Sequence, residues 1–155
     1  MKGEIKLKKV SLDNAERLWR MQRTAFLELL EKYQDTETNP ACQTQERVRE
    51  KVTQPDSTFY WILWGEEPVG GIRIACREGE SKRISPLFVL PQYRDRGIAQ
   101  QAIKLAEELY GDKDWTLGTS LQEKRNCHLY EKMGYRPTGE TLEINDKMTL
   151  IFYKK

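Results

Sequence analysis

A single histidine, His128, and three cysteines, Cys42, Cys76 and Cys127, leave 155 residues with little material for metal or nucleophile chemistry. One imidazole cannot build a histidine-rich zinc site and gives a histidine-based triad only one place to form. The cysteines are odd in number, widely spaced and without a Cys-x-x-Cys pair. They suggest neither a disulfide framework nor a thiolate zinc site, and they read as reduced. Charge of one sign is equally scarce: 26 Lys and Arg against 24 Asp and Glu leave a net +2. No bulk field therefore argues for nucleic acid or an anionic membrane as partner. Long apolar runs are missing too. The longest, residues 58–64, is far too short to span a bilayer, and Met1-Lys2-Gly3-Glu4 opens no signal peptide, so a cytoplasmic location is expected. A Walker lysine motif and a Rossmann glycine triplet after the first strand are both absent, which disfavours a purely nucleotide-binding protein. With no repeat, linker or low-complexity tract, residues 1–155 are expected to form one domain.

What is present is charge and period. The chain is 32% charged and 38% apolar, the composition of a well-hydrated globular protein. Ile5, Leu7 and Val10, interleaved with lysines, fit a half-exposed strand. From the capping sequence Ser11-Leu12-Asp13-Asn14 the period changes: Ala15, Leu18, Trp19, Gln22, Phe26, Leu29, Leu30 and Tyr33 recur at helical spacing. A loop over 34–43 precedes a short charged helix over 44–52. Three consecutive strands follow at 58–64, 69–76 and 83–90, joined by turns at Gly65-Glu66-Glu67-Pro68 and Glu78-Gly79-Glu80-Ser81. A helix over 98–109 then leads to a strand at 115–120. This crossover predicts that the strands at 83–90 and 115–120 run parallel. A helix over 122–133 and a closing hairpin, 135–144 with 147–153, complete the order.

The segment richest in chemistry runs from Leu87 to Gln100, a strand delivered into a helix start. Within it Arg94-x-x-Gly97-x-Ala99 places small residues where backbone N–H groups can approach a phosphate, and Arg94 and Arg96 can add charge. The same glycine and alanine also suit a helix that merely packs closely, and spacing alone does not separate the two readings.

Here the sequence resembles the GNAT superfamily of N-acetyltransferases, whose acetyl-CoA signature is Gln/Arg-x-x-Gly-x-Gly/Ala between the fourth strand and third helix. Arg94, Gly97 and Ala99 match it, and the agreement extends to the preceding LFVLPQYR and to LYEKMGYRPTGE at 129–140. The resemblance implies an α+β fold: a central mixed, splayed seven-stranded sheet flanked by about four helices, in the element order just given. Acetyl-CoA would enter between the two parallel strands, with its pyrophosphate on Arg94, Asp95, Arg96, Gly97, Ile98, Ala99 and Gln100. Its pantetheine would lie on Leu87, Phe88 and Val89, and the Val89 N–H would polarise the thioester carbonyl. Tyr130 matches the family's late tyrosine and takes the role of general acid. Glu123 stands where many relatives have Asn, and Asn126, one turn before Tyr130, is the alternative contact.

The resemblance further implies an enzyme that moves acetyl from acetyl-CoA directly to a primary amine of a small molecule or peptide, without metal, as a monomer or homodimer. A non-catalytic acyl-CoA-binding or sensing module on the same fold is the alternative. The acceptor cleft would be lined by Phe26, Glu28 and Tyr33 near the end of the first helix. The acidic run Glu28, Glu31, Asp35, Glu37 against Lys32 then points to a cationic acceptor, beside aromatic walls that can hold one. No general base declares itself among Glu28, Glu78 and Glu80.

Overall fold

A computed structural model describes residues 3–155; Met1 and Lys2, half of the opening read for a leader, lie outside them. The chain runs β1 (Ile5–Lys9), α1 (Ala15–Tyr33), α2 (Gln45–Thr53), β2 (Ser57–Trp64), β3 (Glu67–Ala75), β4 (Lys82–Val89), α3 (Ile98–Tyr110), β5 (Trp115–Ser120), α4 (Lys124–Lys132), β6 (Arg136–Glu143) and β7 (Thr149–Lys154). All seven strands join one sheet in the order β1-β2-β3-β4-β5-β7-β6. Among the described residues no helix is long and apolar enough to cross a membrane.

Both faces of this sheet are covered, which is why β2 reads as an unbroken apolar run rather than an alternation. Tyr60 and Ile62 join a core with Ile98, Ala102 and Ile103 of α3 and with Cys127 and Tyr130 of α4. Phe59, Trp61 and Leu63 turn the other way onto Leu18 and Ala25 of α1 and Val48 of α2. Helix α1 buries Ala15, Leu18, Gln22 and Ala25 along one stripe and stops where Gln34 adopts a left-handed conformation (φ 53°), its N–H donating to the Leu30 carbonyl. The fully buried Gln22 explains how the aperiodic stretch 34–43 is held. Its Nε2 donates to the Pro40 carbonyl (2.9 Å) and to Gln43 Oε1 (3.0 Å), and Trp19 Nε1 donates to the Gln43 carbonyl (2.9 Å).

Strand β3 carries Gly70 and Gly71 because β4 comes too close for anything larger. A Cβ on Gly70 would stand 2.1 Å from the Phe88 carbonyl oxygen, and one on Gly71 would meet the Phe88 ring at 2.9 Å. Strands β4 and β5 run parallel but pair only at Lys82 with Trp115 and at Arg83 with Thr116. Beyond that fork they separate. The β3–β4 register shifts between Ile72 and Ile74, opposite Ser85 and Pro86. A proline, which cannot donate to a ladder, is tolerated there because β4 has no neighbour on its far side. In the closing hairpin the later strand lies inside, β7 pairing with both β5 and β6. Asn145 fastens this hairpin to α1 through a hydrogen bond from Nδ2 to the Tyr33 carbonyl (2.9 Å).

The α1/α2 face also carries buried positive charge. Arg73 of β3 donates from Nη1 to the Ser85 carbonyl and from Nη2 to Gln54 Oε1, both at 2.9 Å, while its Nε is buried without a partner among the described residues. Lys51 of α2 is buried, and its ammonium makes no hydrogen bond or ion pair among the described residues. Burial first, then repulsion from Arg73, Arg47 and Arg83, lowers its pKa from the ordinary 10.5 to about 8. Below pH 8 the group is protonated in both the folded and unfolded chain, and the native state carries the whole penalty. From pH 8 to 10.5 the folded chain sheds a proton that the unfolded chain keeps, so stability rises with pH. The drop corresponds to about 3 kcal/mol at roughly 1.4 kcal/mol per unit. Lys51→Met is therefore expected to be more stable than wild type at pH 7, by up to about 3 kcal/mol, with the difference shrinking towards pH 10. Urea unfolding at pH 7 and 9.5 checks this; a gap independent of pH would show that the ammonium charge is not its source.

Candidate active site

Two adjoining cavities occupy the fork between β4 and β5 and share Phe26, Leu29, Leu87, Asn126 and Tyr130 as walls. The larger, about 400 Å³, reaches the start of α3 and is also lined by Phe88, Val89, Arg94, Asp95, Gly97, Ile98, Ala99 and Gln100. The smaller, about 210 Å³, lies between the end of α1, β4, β5 and β7, and Tyr33, Asp35, Arg83 and Ser85 line it. The structure thus brings together, around the two cavities, every site residue expected from the sequence except Arg96. That guanidinium lines neither cavity and lies over the Trp64 ring, 5.7 Å from its centroid. Glu28 lines the larger cavity and not the smaller, and Tyr33 the reverse.

The loop into α3 is built to present backbone donors. Asp95 (φ 64°) and Gly97 (φ 74°) both adopt left-handed conformations, and Gly97 is the N-cap with no side chain capping the helix. The first-turn N–H groups therefore face outward unfilled, an anion-binding arrangement reinforced by the helix dipole. A Cβ built on Gly97 meets nothing within 4 Å. Close packing thus does not account for this glycine; its backbone angle and the open space in front of it do. The loop fits a pyrophosphate. The Arg94 side chain is committed elsewhere: Nη2 donates to the Ala25 carbonyl (2.7 Å), Nε to the Val89 carbonyl (3.3 Å), and Nη1 lies 3.5 Å from Glu28. It pins α1 to the end of β4 and leaves the loop backbone to meet the anion.

The same contacts orient Val89. The Leu90 N–H donates to the Val69 carbonyl on β3 (2.8 Å), and in extended backbone successive residues point their polar groups to opposite sides. Val89 therefore turns its carbonyl, bonded to Arg94, and its N–H away from β3 and into the gap.

Tyr130 stands on the wall common to both cavities. It is 8% exposed, and its ring lies 6.1 Å from those of both Tyr135 and Tyr153. The hydroxyl has no hydrogen-bond partner among the described residues. Burial, with a smaller contribution from Cys127, raises its pKa to about 12, so the proton is firmly held at neutral pH. Cys127 itself is buried, its Sγ 3.6 Å from the Ser120 carbonyl, and His128 is exposed.

Glu123 is a site residue whose partners no local motif announces. Its carboxylate accepts from the Tyr33 hydroxyl (2.5 Å) and from Lys32 Nζ (2.9 Å). Burial pushes its pKa up, but those two hydrogen bonds and the Lys32 charge outweigh burial and hold it below the usual carboxylate range. Asn126, by contrast, makes no side-chain hydrogen bond among the described residues and lines both cavities. Asp95 pairs with Arg125. In the acidic run near the end of α1, Glu28, Glu31 and Glu37 are exposed and Asp35 is buried. Glu28 faces Arg94, and Asp35 accepts from the N–H groups of Glu37 and Thr38 and from the Thr38 hydroxyl. Among the described residues no group of three or more His, Cys, Asp or Glu side chains could hold a metal ion.

Comparison with known proteins agrees with this geometry. No curated protein matches the chain. Solved structures do. An acetyltransferase from Thermus thermophilus superposes with a TM-score of 0.72 at 18% identity, covering 98% of this chain and 96% of that one. The microcin C7 self immunity acetyltransferase MccE, in complex with acetyl-CoA and AMP, gives 0.75 at 17% over 99% and 96%. Spermidine N-acetyltransferase from Vibrio cholerae, in complex with CoA and spermine, gives 0.75 at 13% over 96% and 93%. At these identities the likeness establishes the fold. The family is established by the match of residues 16–135 to the acetyltransferase (GNAT) family model, and to that family this chain belongs.

Proposed function

We propose that this protein transfers an acetyl group from acetyl-CoA directly to a primary amine of a small molecule or peptide. The observation that carries this reading is the unpartnered Tyr130 hydroxyl, held by its neighbours on the wall between a cavity that ends at an uncapped helix start and a second, smaller cavity. On this reading the larger cavity takes acetyl-CoA. The backbone N–H groups of residues 97–100 bind the pyrophosphate, and the edge of β4 left bare beyond Arg83 receives the pantetheine amides as an added strand would. The Val89 N–H then donates to the thioester carbonyl and stabilises the charge that builds on its oxygen. The amine enters from the smaller cavity after losing a proton to water; a lysine-like amine needs about 4.6 kcal/mol for this at pH 7. Its nitrogen bonds to the carbonyl carbon and sheds its surplus proton to water, the carbon–sulfur bond breaks with its electron pair going to sulfur, and Tyr130 gives its proton to that sulfur, leaving the neutral amide and thiol. Solvent returns the proton to the tyrosinate.

A thiol-release assay over a panel of amines tests the reading. Thiol and N-acetyl product are expected in equal amounts with at least one class of amine. Acetyl-CoA binding without release for every amine would replace it by a sensing module on the same fold.

A further inference from the structure

Resting on the acetyl-transfer reading, we infer that the acceptor amine also carries an oxyanion, a carboxylate or a phosphate, and that Arg83 in the wall of the smaller cavity binds it and sets acceptor specificity. Arg83 sits at the fork, the last residue of β4 paired to β5. It is exposed, lines the smaller cavity and makes no side-chain hydrogen bond or ion pair among the described residues. A guanidinium in a cavity wall with all five donors free is a fork waiting for two oxygens.

The ground behind it is positive. Arg73 holds the carbonyl of Ser85, another residue of the same wall, and keeps a buried Nε without an acceptor. The Lys51 ammonium is buried near it with no partner among the described residues, and Arg83 is among the charges that depress the protonation of both. The carboxylate acting on Arg73, Asp56, is already paired with Arg77. Across the cavity Asp35 has its oxygens occupied by its own turn. Of the charged side chains in this wall, Arg83 is thus the one whose hydrogen-bonding groups are unspent, whereas the acidic run in the sequence suggested a cationic acceptor. A volume near 210 Å³ restricts the guest to a small amine or one end of a peptide.

The test compares matched pairs: dipeptides and free amino acids against their C-terminal amides, and phosphoethanolamine against ethanolamine, with spermidine as a purely cationic acceptor. Wild type is expected to favour the anionic member of at least one pair by about tenfold or more in kcat/KM, with most of the difference in KM and a decline at higher salt. Which pair shows it separates carboxylate from phosphate. Arg83→Gln should bring the ratio to within about twofold, and Arg83→Glu should reverse it in favour of the amides and spermidine. Calorimetric binding of the N-acetylated acid and amide products to the CoA-loaded wild-type protein reads the same contact without turnover and without a variant. Thiol release with no preference for the anionic member, or a preference that survives Arg83→Gln, overturns the inference and leaves acetyl transfer standing. Arg83-dependent tighter binding of the acid product with no thiol release supports the anion contact and overturns acetyl transfer.

Discussion

Tyr130→Phe is expected to lower kcat by about 10²-fold or more while acetyl-CoA affinity changes little. The substitution keeps the ring among Tyr135 and Tyr153 and removes only a hydroxyl that bonds to none of the described residues. What it removes is the proton. Against an ordinary thiol near 8.5, a tyrosine at about 12 donates uphill by about 5 kcal/mol. The burial that raises the tyrosine also raises the thiol of a leaving group in the same cavity, which narrows that difference. Steady-state kinetics and calorimetric affinity measured side by side decide the matter. A kcat within a few-fold of wild type, under conditions where chemistry limits the rate, would reduce Tyr130 to a packing residue. The elevated pKa has a second consequence: loss of this proton does not depress kcat between pH 8 and 10, so a basic limb in that range reports another group.

Gly97→Glu is expected to abolish acetyl-CoA binding in a protein that still folds. A Cβ at this position meets no atom within 4 Å beyond its chain neighbours, so the side chain starts into open space. It does fill the approach to the uncapped α3 N–H groups, and its charge repels a pyrophosphate at that position. A left-handed φ of 74° adds about 1 kcal/mol of strain for any residue but glycine. Gly97→Ala separates the two effects: it shares the strain, lacks the charge, and should weaken binding much less. Calorimetry on both variants, with circular dichroism to confirm folding, checks this; unchanged affinity in folded Gly97→Glu would remove the loop from the binding site.

The elements were legible because each has its own period. The change from alternation at Ile5 and Leu7 to helical spacing from Ala15, and the crossover through α3, announced the parallel pair β4 and β5 before any coordinates. The loop at 94–100 was legible for a local reason, since a glycine at a helix start has only a few uses. What stayed hidden depends on residues far apart in sequence. Arg94 reads as a phosphate ligand until Ala25, 69 positions away, takes its guanidinium. Glu123 reads as a lost asparagine until Tyr33, 90 positions earlier, donates to it. Charge arithmetic over the end of α1 counted Asp35 and Glu28 as free, whereas Asp35 serves its own turn and Glu28 faces Arg94. The Asp35-x-x-Thr38 pattern is a local turn signal that could have revealed half of this. The α4 boundary moved inward to Lys124 because the Gln122 side chain is used at the sheet edge, accepting from the Thr149 N–H (3.1 Å). Nor did the closing hairpin disclose which of its strands meets β5, since alternation is the same for both.

That last placement bears on how the chain is made. Strand β5 has two residue pairs with β4 and five with β7, so most of its backbone bonding comes from residues 149–154. A nascent chain that has emerged only as far as α4 holds β5 by its fork alone, with one long edge bare and the wall that Met148, Leu150 and Phe152 give the smaller cavity missing. Such an edge is a template for any other extended chain nearby. Folding is therefore expected to be a single late event rather than growth from one end, and chains interrupted before residue 149 should be the ones that aggregate.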